Sequence, residues 1–310
     1  MTRAMRVLVS GVNGFVGGHL VRELRDAGHD VLGVGNGSPD GATTALLDDY
    51  VAADLTVGWP ATPPVDAIVH LAALSAVGPS FARPQDYLET NSAMVTHLGE
   101  SLLRRDERPR VLLVSSGAVY DSGQPLPIGE DGLLAFSSPY AVSKVLTEHQ
   151  AAYYATRDLD WIVARPFNHV GPGQGTGFLL PDLYDQLTRP TPGARKLVVG
   201  DLSTERDYTD VRDVVRAYRL LLEADDPGAR VFNVCSGAAV SGNELLAHLL
   251  AATGTHDVPT EVDPSRLRPG DPRRIVGDSG LLRRAVGWTP RYDLAQTVGD
   301  FVASQAERSR

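Results

Sequence analysis

The residues best placed to do chemistry in this 310-residue chain are Ser116, Tyr140 and Lys144. Tyr140 and Lys144 stand four apart in SPYAVSK, a stretch that reads as a helix opening behind Pro139, so their side chains share one face. A free phenol ionises near pH 10. A cation about 5 Å away, at an effective dielectric near 20, favours the phenolate by about 3 kcal/mol, which would bring the phenol within reach of neutral pH. Tyr140 could then exchange a proton with a carbinol or ketone oxygen. Ser116 closes the apolar run RVLLVSS and would hold that oxygen against Tyr140. Composition makes the pair hard to dismiss. Of 29 basic residues only Lys144 and Lys196 are lysines, and one of the two sits where this chemistry needs it. Lys196 reads as a solvated surface residue.

Near the start, Gly11, Gly14 and Gly17 form G-x-x-G-x-x-G between an apolar strand and an amphipathic helix. Such a turn lets backbone approach a pyrophosphate, whose charge then rests on the helix N-terminus. Asn13, Phe15 and Val16 lie in the same turn and would line the cofactor. An acid at the end of the second strand would accept from a ribose hydroxyl and repel a 2′-phosphate. That stretch is Val34-Gly35-Asn36-Gly37-Ser38, with neither acid nor arginine, so NADP(H) and NAD(H) both stay open, with a slight lean to NADPH or dual use. Asp54, followed by Leu55, ends a third strand and is placed to accept from an adenine amino group; a turn-capping aspartate is the alternative.

These residues need a scaffold. Apolar runs at 6–10, 30–34, 50–54, 65–73, 110–116 and 161–166 read as strands, and helices run from Gly11 to near Gly28, over 85–104 and over 138–157. Strands apolar throughout, alternating with helices, imply a parallel sheet covered on both faces. After Pro166 the stretch NHVGPGQGTG looks like a loop. Helices follow over 211–224, in SGNELLAHLLAATG and over 293–307, with a strand at 229–236 and a Pro/Arg-rich stretch from 258 to 275. The expected fold class is α/β: a Rossmann-type doubly wound sheet in residues 1–165 and a smaller mixed α/β substrate lobe in 166–310, with 207–235 returning to the first domain.

The formal charge of −9 argues against a nucleic-acid partner. With 43% hydrophobic and 22% charged residues, global disorder is not expected. The opening residues lack the apolar run of a signal peptide or membrane span. The single cysteine, Cys235, forbids an internal disulfide and fits a reducing cytoplasm; it reads as a small buried hydrophobe. The eight histidines show no metal-ligand spacing. His70 reads as structural, and His169 could touch substrate.

Taken together, GVNGFVGG, HLAA (70–73), VSSGAVY (114–120) and SPYAVSK (138–144) resemble the extended short-chain dehydrogenases, which include the NAD-dependent sugar-nucleotide epimerases, dehydratases and reductases. The resemblance implies that Leu71, Ala72, Ala73 and Pro166 border the cofactor and that Lys144 bonds its ribose. It also implies a nucleotide-sugar substrate near Ser75, and a homodimer formed through the helices near 85–104 and 138–157. The stretches from Arg165 to Gln174, ERDYTDVRDVVRAY, VFNVCSG and DPSRLRPGD look closest to the GDP-4-dehydro-6-deoxy-D-mannose reductases. This implies Asn168 on the substrate diphosphate and Arg206 and Arg268 on its phosphates; a surface ion pair is the alternative for each arginine. The 4,6-dehydratases carry acids directly after the catalytic hydroxyl, where this chain has Gly117 and Ala118, so dehydration is disfavoured. The expected function is NAD(P)H-dependent reduction of a nucleotide-linked 4-keto-6-deoxyhexose, with an NAD-dependent sugar-nucleotide 4-epimerase as the alternative. A non-catalytic cofactor sensor is disfavoured because Ser116, Tyr140 and Lys144 are all kept.

Overall fold

A computed structural model describes residues 3–189, 196–256, 258–267 and 271–308. Its first half runs β1 (Arg6–Ser10), α1 (Phe15–Asp26), β2 (Asp30–Gly35), α2 (Gly41–Thr44), β3 (Asp49–Ala52), β4 (Ala67–His70), α3 (Val77–Ala82), α4 (Pro84–Arg105), β5 (Arg110–Val114), α5 (Pro139–Ala155) and β6 (Trp161–Pro166). The second half runs β7 (Asn168–Val170), α6 (Leu179–Thr188), β8 (Leu197–Val199), β9 (Glu205–Asp210), α7 (Val211–Glu223), β10 (Val231–Val234), β11 (Ala239–Ser241), α8 (Gly242–Thr253), β12 (Thr260–Val262), β13 (Arg274–Ile275), α9 (Gly280–Val286) and α10 (Leu294–Arg308).

Seven strands form one sheet in the order β10-β6-β5-β4-β1-β2-β3, and each pairing is parallel. Successive side chains of a strand face opposite sides. In β1, Val7 and Val9 therefore pack with Leu20, Val21 and Leu24 of α1 and Val214, Tyr218 and Leu221 of α7. Leu8 packs on the other face with Met94, Val95 and Leu98 of α4 and Tyr154 of α5. Both faces are thus covered, which is why the strands are apolar without alternation. The fold is the doubly wound Rossmann type. Its strand order reverses between β1 and β4, which leaves a crevice beyond the carboxyl ends of those strands.

β10 enters this sheet beside β6, with Val231 opposite Val163, and Leu282 and Trp288 pack into the core beneath α1 and α7. A second sheet is centred on β9, which pairs with β11, β13 and β7. Its hub is the buried carboxylate of Asp207, which accepts from the Ser236 and Gly237 amides at 2.8 and 2.9 Å and from the Ser236 hydroxyl at 2.6 Å. Leu180, Leu183, Leu245, Leu249, Val298 and Phe301 form a separate core there. Among the described residues no helix is long and apolar enough to cross a membrane.

Several boundaries differ from the sequence expectation. Residues 168–170 form a strand rather than loop, because β9 supplies them with a parallel partner. The 258–275 stretch contains β12 and β13. Strands β3 and β5 stop at Ala52 and Val114, so Asp54 and Ser116 each sit two residues beyond a strand end. There the backbone leaves the ladder to make side-chain-capped turns.

Candidate active site

The crevice opens at the glycine-rich turn. Gly14 is the N-cap of α1, without a side-chain cap, and the first turn has no acid, so its backbone N–H groups are left for an anion. Gly11 has φ +76°, and a Cβ on it would lie 2.7 Å from the Ala72 amide nitrogen. A Cβ on Gly17 would lie 2.6 Å from the carbonyl oxygens of Gly11 and Val12. Neither position tolerates a side chain, and together they make a bare-backbone cradle that fits a pyrophosphate. The exit of β4 closes the other side. Leu71 N–H donates to Ser10 O at 3.1 Å, and the Ser10 hydroxyl pairs with His70 Nδ1 at 2.7 Å. Burial, with the Lys144 charge adding to it, pushes His70 down to about 3. The ring is neutral and structural.

At the end of β2, Asn13 Nδ2 donates to Asn36 O at 3.1 Å and to Tyr50 Oη at 3.2 Å. Tyr50 Oη in turn donates to Gly35 O and Gly37 O. No carboxylate takes part in this knot. Asp54 is exposed and caps its own turn, accepting from the Thr56 amide at 2.9 Å and the Thr56 hydroxyl at 2.6 Å. Those two bonds hold its carboxyl below the usual range. Leu55 beside it is buried, its carbonyl bonded to the His97 ring at 2.9 Å.

Helix α5 starts cleanly because Ser138 Oγ accepts from Ala141 N–H at 3.1 Å and Pro139 occupies the first turn. That start aims Tyr140 and Lys144 at the exit of β5. Both are buried. Lys144 Nζ donates to Val114 O at 2.8 Å and lies 5.9 Å from the Tyr140 ring centre. Ser116 is hydrogen-bonded to the Tyr140 phenol, and its Oγ accepts from Ala118 N–H at 3.1 Å, opening a short 3-10 turn over Gly117–Val119. The Tyr87 ring meets Tyr140 edge-on at 6.4 Å.

The electrostatics correct the sequence expectation for the phenol. Burial raises Tyr140 above its ordinary value, and the Ser116 bond only partly offsets this. Burial also pushes Lys144 down to about 8, against a smaller upward pull from Glu148. Loss of water is the largest effect on the phenol, and the Lys144 cation, itself desolvated, donates to Val114 O rather than to the phenol. The phenol therefore keeps its proton at neutral pH.

Position 117 is crowded by a neighbouring side chain. A Cβ there would lie 2.9 Å from the Phe167 ring, which a Cβ on Gly277 would meet at 2.6 Å. Phe167 would therefore have to shift to admit a side chain at 117. The sequence reading missed Asn91 of α4. Its side chain accepts from Leu74 N–H at 2.8 Å and donates to Leu74 O at 3.1 Å and Ser143 Oγ at 2.9 Å. Ser143 passes the link to Tyr140 O at 2.8 Å. The signal was available: Asn91 lies three and four residues from Leu88 and Val95, on the apolar stripe of α4.

Two of the substrate-side candidates, Asn168 and Arg206, lie on the second sheet. Asn168 of β7 is exposed and bonds Tyr208 of β9. His169 stacks on Phe15 at 6.2 Å and 10°, and burial lowers its basicity. Arg206 is already engaged, with Asp271 and Pro272 O at 2.8 and 2.9 Å. Ser75 is exposed just before α3, and Pro166 is buried at the end of β6. Arg268 lies outside the described residues. Lys196 pairs with Glu261 at the surface, and Cys235 is buried. Among the described residues no group of three or more His, Cys, Asp or Glu could hold a metal ion.

Residues 7–235 match the model of the NAD dependent epimerase/dehydratase family. The chain is 35% identical to the GDP-6-deoxy-D-mannose reductase of Pseudomonas aeruginosa, covering 98% of both chains. It is 33% identical to the UDP-glucose 4-epimerase of Mycolicibacterium smegmatis, covering 96% of this chain and 97% of the epimerase. The solved structure of RMD from Pseudomonas aeruginosa complexed with NADPH superposes with a TM-score of 0.81 at 33% identity, over 98% of this chain and 100% of that one. A cradle without side chains at a strand-to-helix turn and a near full-length likeness to these enzymes agree: the chain belongs to the NAD dependent epimerase/dehydratase family and takes NAD(H) or NADP(H) as its cofactor.

Proposed function

We propose that the protein reduces the ketone of a nucleotide-linked 4-keto-6-deoxyhexose, of the GDP-4-dehydro-6-deoxy-mannose type, consuming NADPH or NADH. The observation that carries this is the end of β2. Asn36 and the Asn13–Tyr50 knot offer a ribose no carboxylate. An acid there would bond the ribose hydroxyl and repel a 2′-phosphate, so its lack leaves NADPH open as a consumed cofactor, whereas an epimerase works with tightly held NAD. The likeness to a GDP-6-deoxy-D-mannose reductase over 98% of the chain points the same way.

When bound, the nicotinamide supplies the hydride. The chain's own residues do the rest. Gly11, Gly14 and Gly17, with Asn13, Phe15 and Val16, would hold the pyrophosphate; Leu71, Ala72, Ala73 and Pro166 would border the ring end. Asp54 and Leu55 would meet the adenine. Ser116 donates to the ketone oxygen and orients it. Tyr140, which keeps its proton at neutral pH, gives that proton to the oxygen as charge develops there. Lys144, one helical turn on, stabilises the phenolate left behind. Asn168, Arg206 and Arg268 would take the diphosphate, for which planar guanidinium groups are well suited, and Ser75 would approach the sugar. With Gly117 and Ala118 after Ser116, the site has neither carboxylate of the 4,6-dehydratases.

We further propose that residues 1–165 act as the dinucleotide-binding unit and 166–310 as the substrate lobe; the expected return at 207–235 starts at α7 and includes β10, because 207–210 belong to β9 of the second sheet. A homodimer through α4 and α5 is supported by Leu146 and Tyr153, both exposed on α5. The second functional reading, a UDP-sugar 4-epimerase, is favoured by the likeness to UDP-glucose 4-epimerases. Incubating the protein with GDP- and dTDP-4-keto-6-deoxyhexoses while following NADPH and NADH absorbance separates the readings. Cofactor consumption with a keto-sugar supports the reductase. No consumption with any of them, and interconversion of UDP-sugars without added cofactor, overturns it.

A further inference from the structure

Three consecutive residues at the exit of β5 are each held by α5, at positions one helical turn apart. Tyr140 bonds the Ser116 side chain. Lys144 donates to Val114 O at 2.8 Å. Glu148 accepts from the Ser115 hydroxyl. The third tie has no part in the chemistry above, yet it is the most heavily built. Glu148 is buried, and Arg165 of β6 grips both of its oxygens, Nε to Oε1 at 3.0 Å and Nη2 to Oε2 at 2.6 Å. Arg165 is itself pinned by Tyr120 Oη at 2.8 Å, and Tyr120 donates to Asn233 of β10 at 2.7 Å. The ladder between β5 and β6 ends with Ser115 N–H on Ala164 O at 2.8 Å, so Ser116 is the first residue with no strand to fix it.

We infer that Glu148 is a positioning residue: it anchors Ser115 so that Ser116 is held against Tyr140 at the distance and angle proton transfer needs. This rests on the reductase reading. A buried carboxylate needs hydrogen bonds beyond its ion pair to satisfy its lone pairs, so the existence of a further bond is not what singles Glu148 out; its target is. The Ser115 bond spends a lone pair on the one segment that carries Ser116. A misplacement of an ångström at such a site costs about 10- to 100-fold in rate.

Ser115→Ala is the informative variant, since it cuts the tie and leaves the Glu148–Arg165 pair intact. It should lower kcat about tenfold, with KM for the cofactor and the melting temperature unchanged. The primary isotope effect with 4-deuterated cofactor should rise as chemistry becomes slower. Ser115→Thr, which restores a hydroxyl, should recover most of kcat. Glu148→Gln should show the same split if it folds, and Ser115→Ala decides the matter if it does not. A parent-like kcat in Ser115→Ala, or a fall in kcat that tracks a fall in melting temperature, overturns the inference. Absence of cofactor consumption by the parent chain overturns the reductase reading instead, so the two failures are distinguishable.

Discussion

The two sides of the crevice are held by different means. Tyr140, Lys144 and Ser116 sit where a 17-residue helix crosses the exit of a strand buried through its middle, and their side-chain partners are a backbone carbonyl, a phenol and a hydroxyl. Asn168 and Arg206 sit on strands of three and six residues, and Arg206 is neutralised by Asp271. One side is assembled before anything binds. On the proposed reading the other would have to share or exchange partners, since Arg206 already holds Asp271 and the carbonyls of Glu205 and Pro272. The proposed division of labour follows: the first side sets rate, and the second sets affinity.

That contrast can be broken by mutation, and the largest effect belongs to the first side. Tyr140→Phe should cut kcat at least a hundredfold with KM nearly unchanged; a loss confined to KM would dissolve the distinction between the two sides. Next comes pH. Lys144 is charged below about 8 and neutral above it. Its cation stabilises the phenolate, so kcat/KM should hold on the acid side and fall about tenfold per pH unit above 8. A limb that instead falls as the pH drops from 8 to 7 would remove Lys144 from that role. On the second side, Arg206→Ala should raise KM for the nucleotide sugar about fivefold and leave kcat alone. A drop in kcat of that size would mean Arg206 also orients the reacting end. Smallest is Asp54→Ala. Asp54 is exposed and already bonded to Thr56, so KM for the cofactor should rise only about twofold. A tenfold rise, read from cofactor titrations, would give the adenine contact a weight its surroundings do not suggest.

The same contrast explains what the sequence made legible. The Rossmann sheet could be read because its strands are buried on both faces and its helices show their period. Tyr140 and Lys144 could be read because four residues on a helix is one turn. The phenol's basicity could not, because it depends on how much water the cleft removes, and spacing carries no information on that. Asn91 was missed although it lies on the apolar stripe of α4, where a lone amide looks like a flaw in the pattern until its partners Leu74 and Ser143 are seen. Strands β7 and β13 were missed because so few residues leave no period to detect; the pairing partner β9 creates them. Gly117 was legible as the absence of an acid. That the Phe167 ring crowds the position is a fact of packing alone.

The central claim is that each turnover consumes a reduced cofactor. The most direct measurement is a stoichiometry: a limiting, known amount of GDP-4-keto-6-deoxymannose is given to the protein with excess NADPH, and both the cofactor oxidised and the sugar product are counted. One cofactor oxidised for each sugar reduced is the predicted result. Product formed with no net loss of NADPH would contradict it and leave the epimerase.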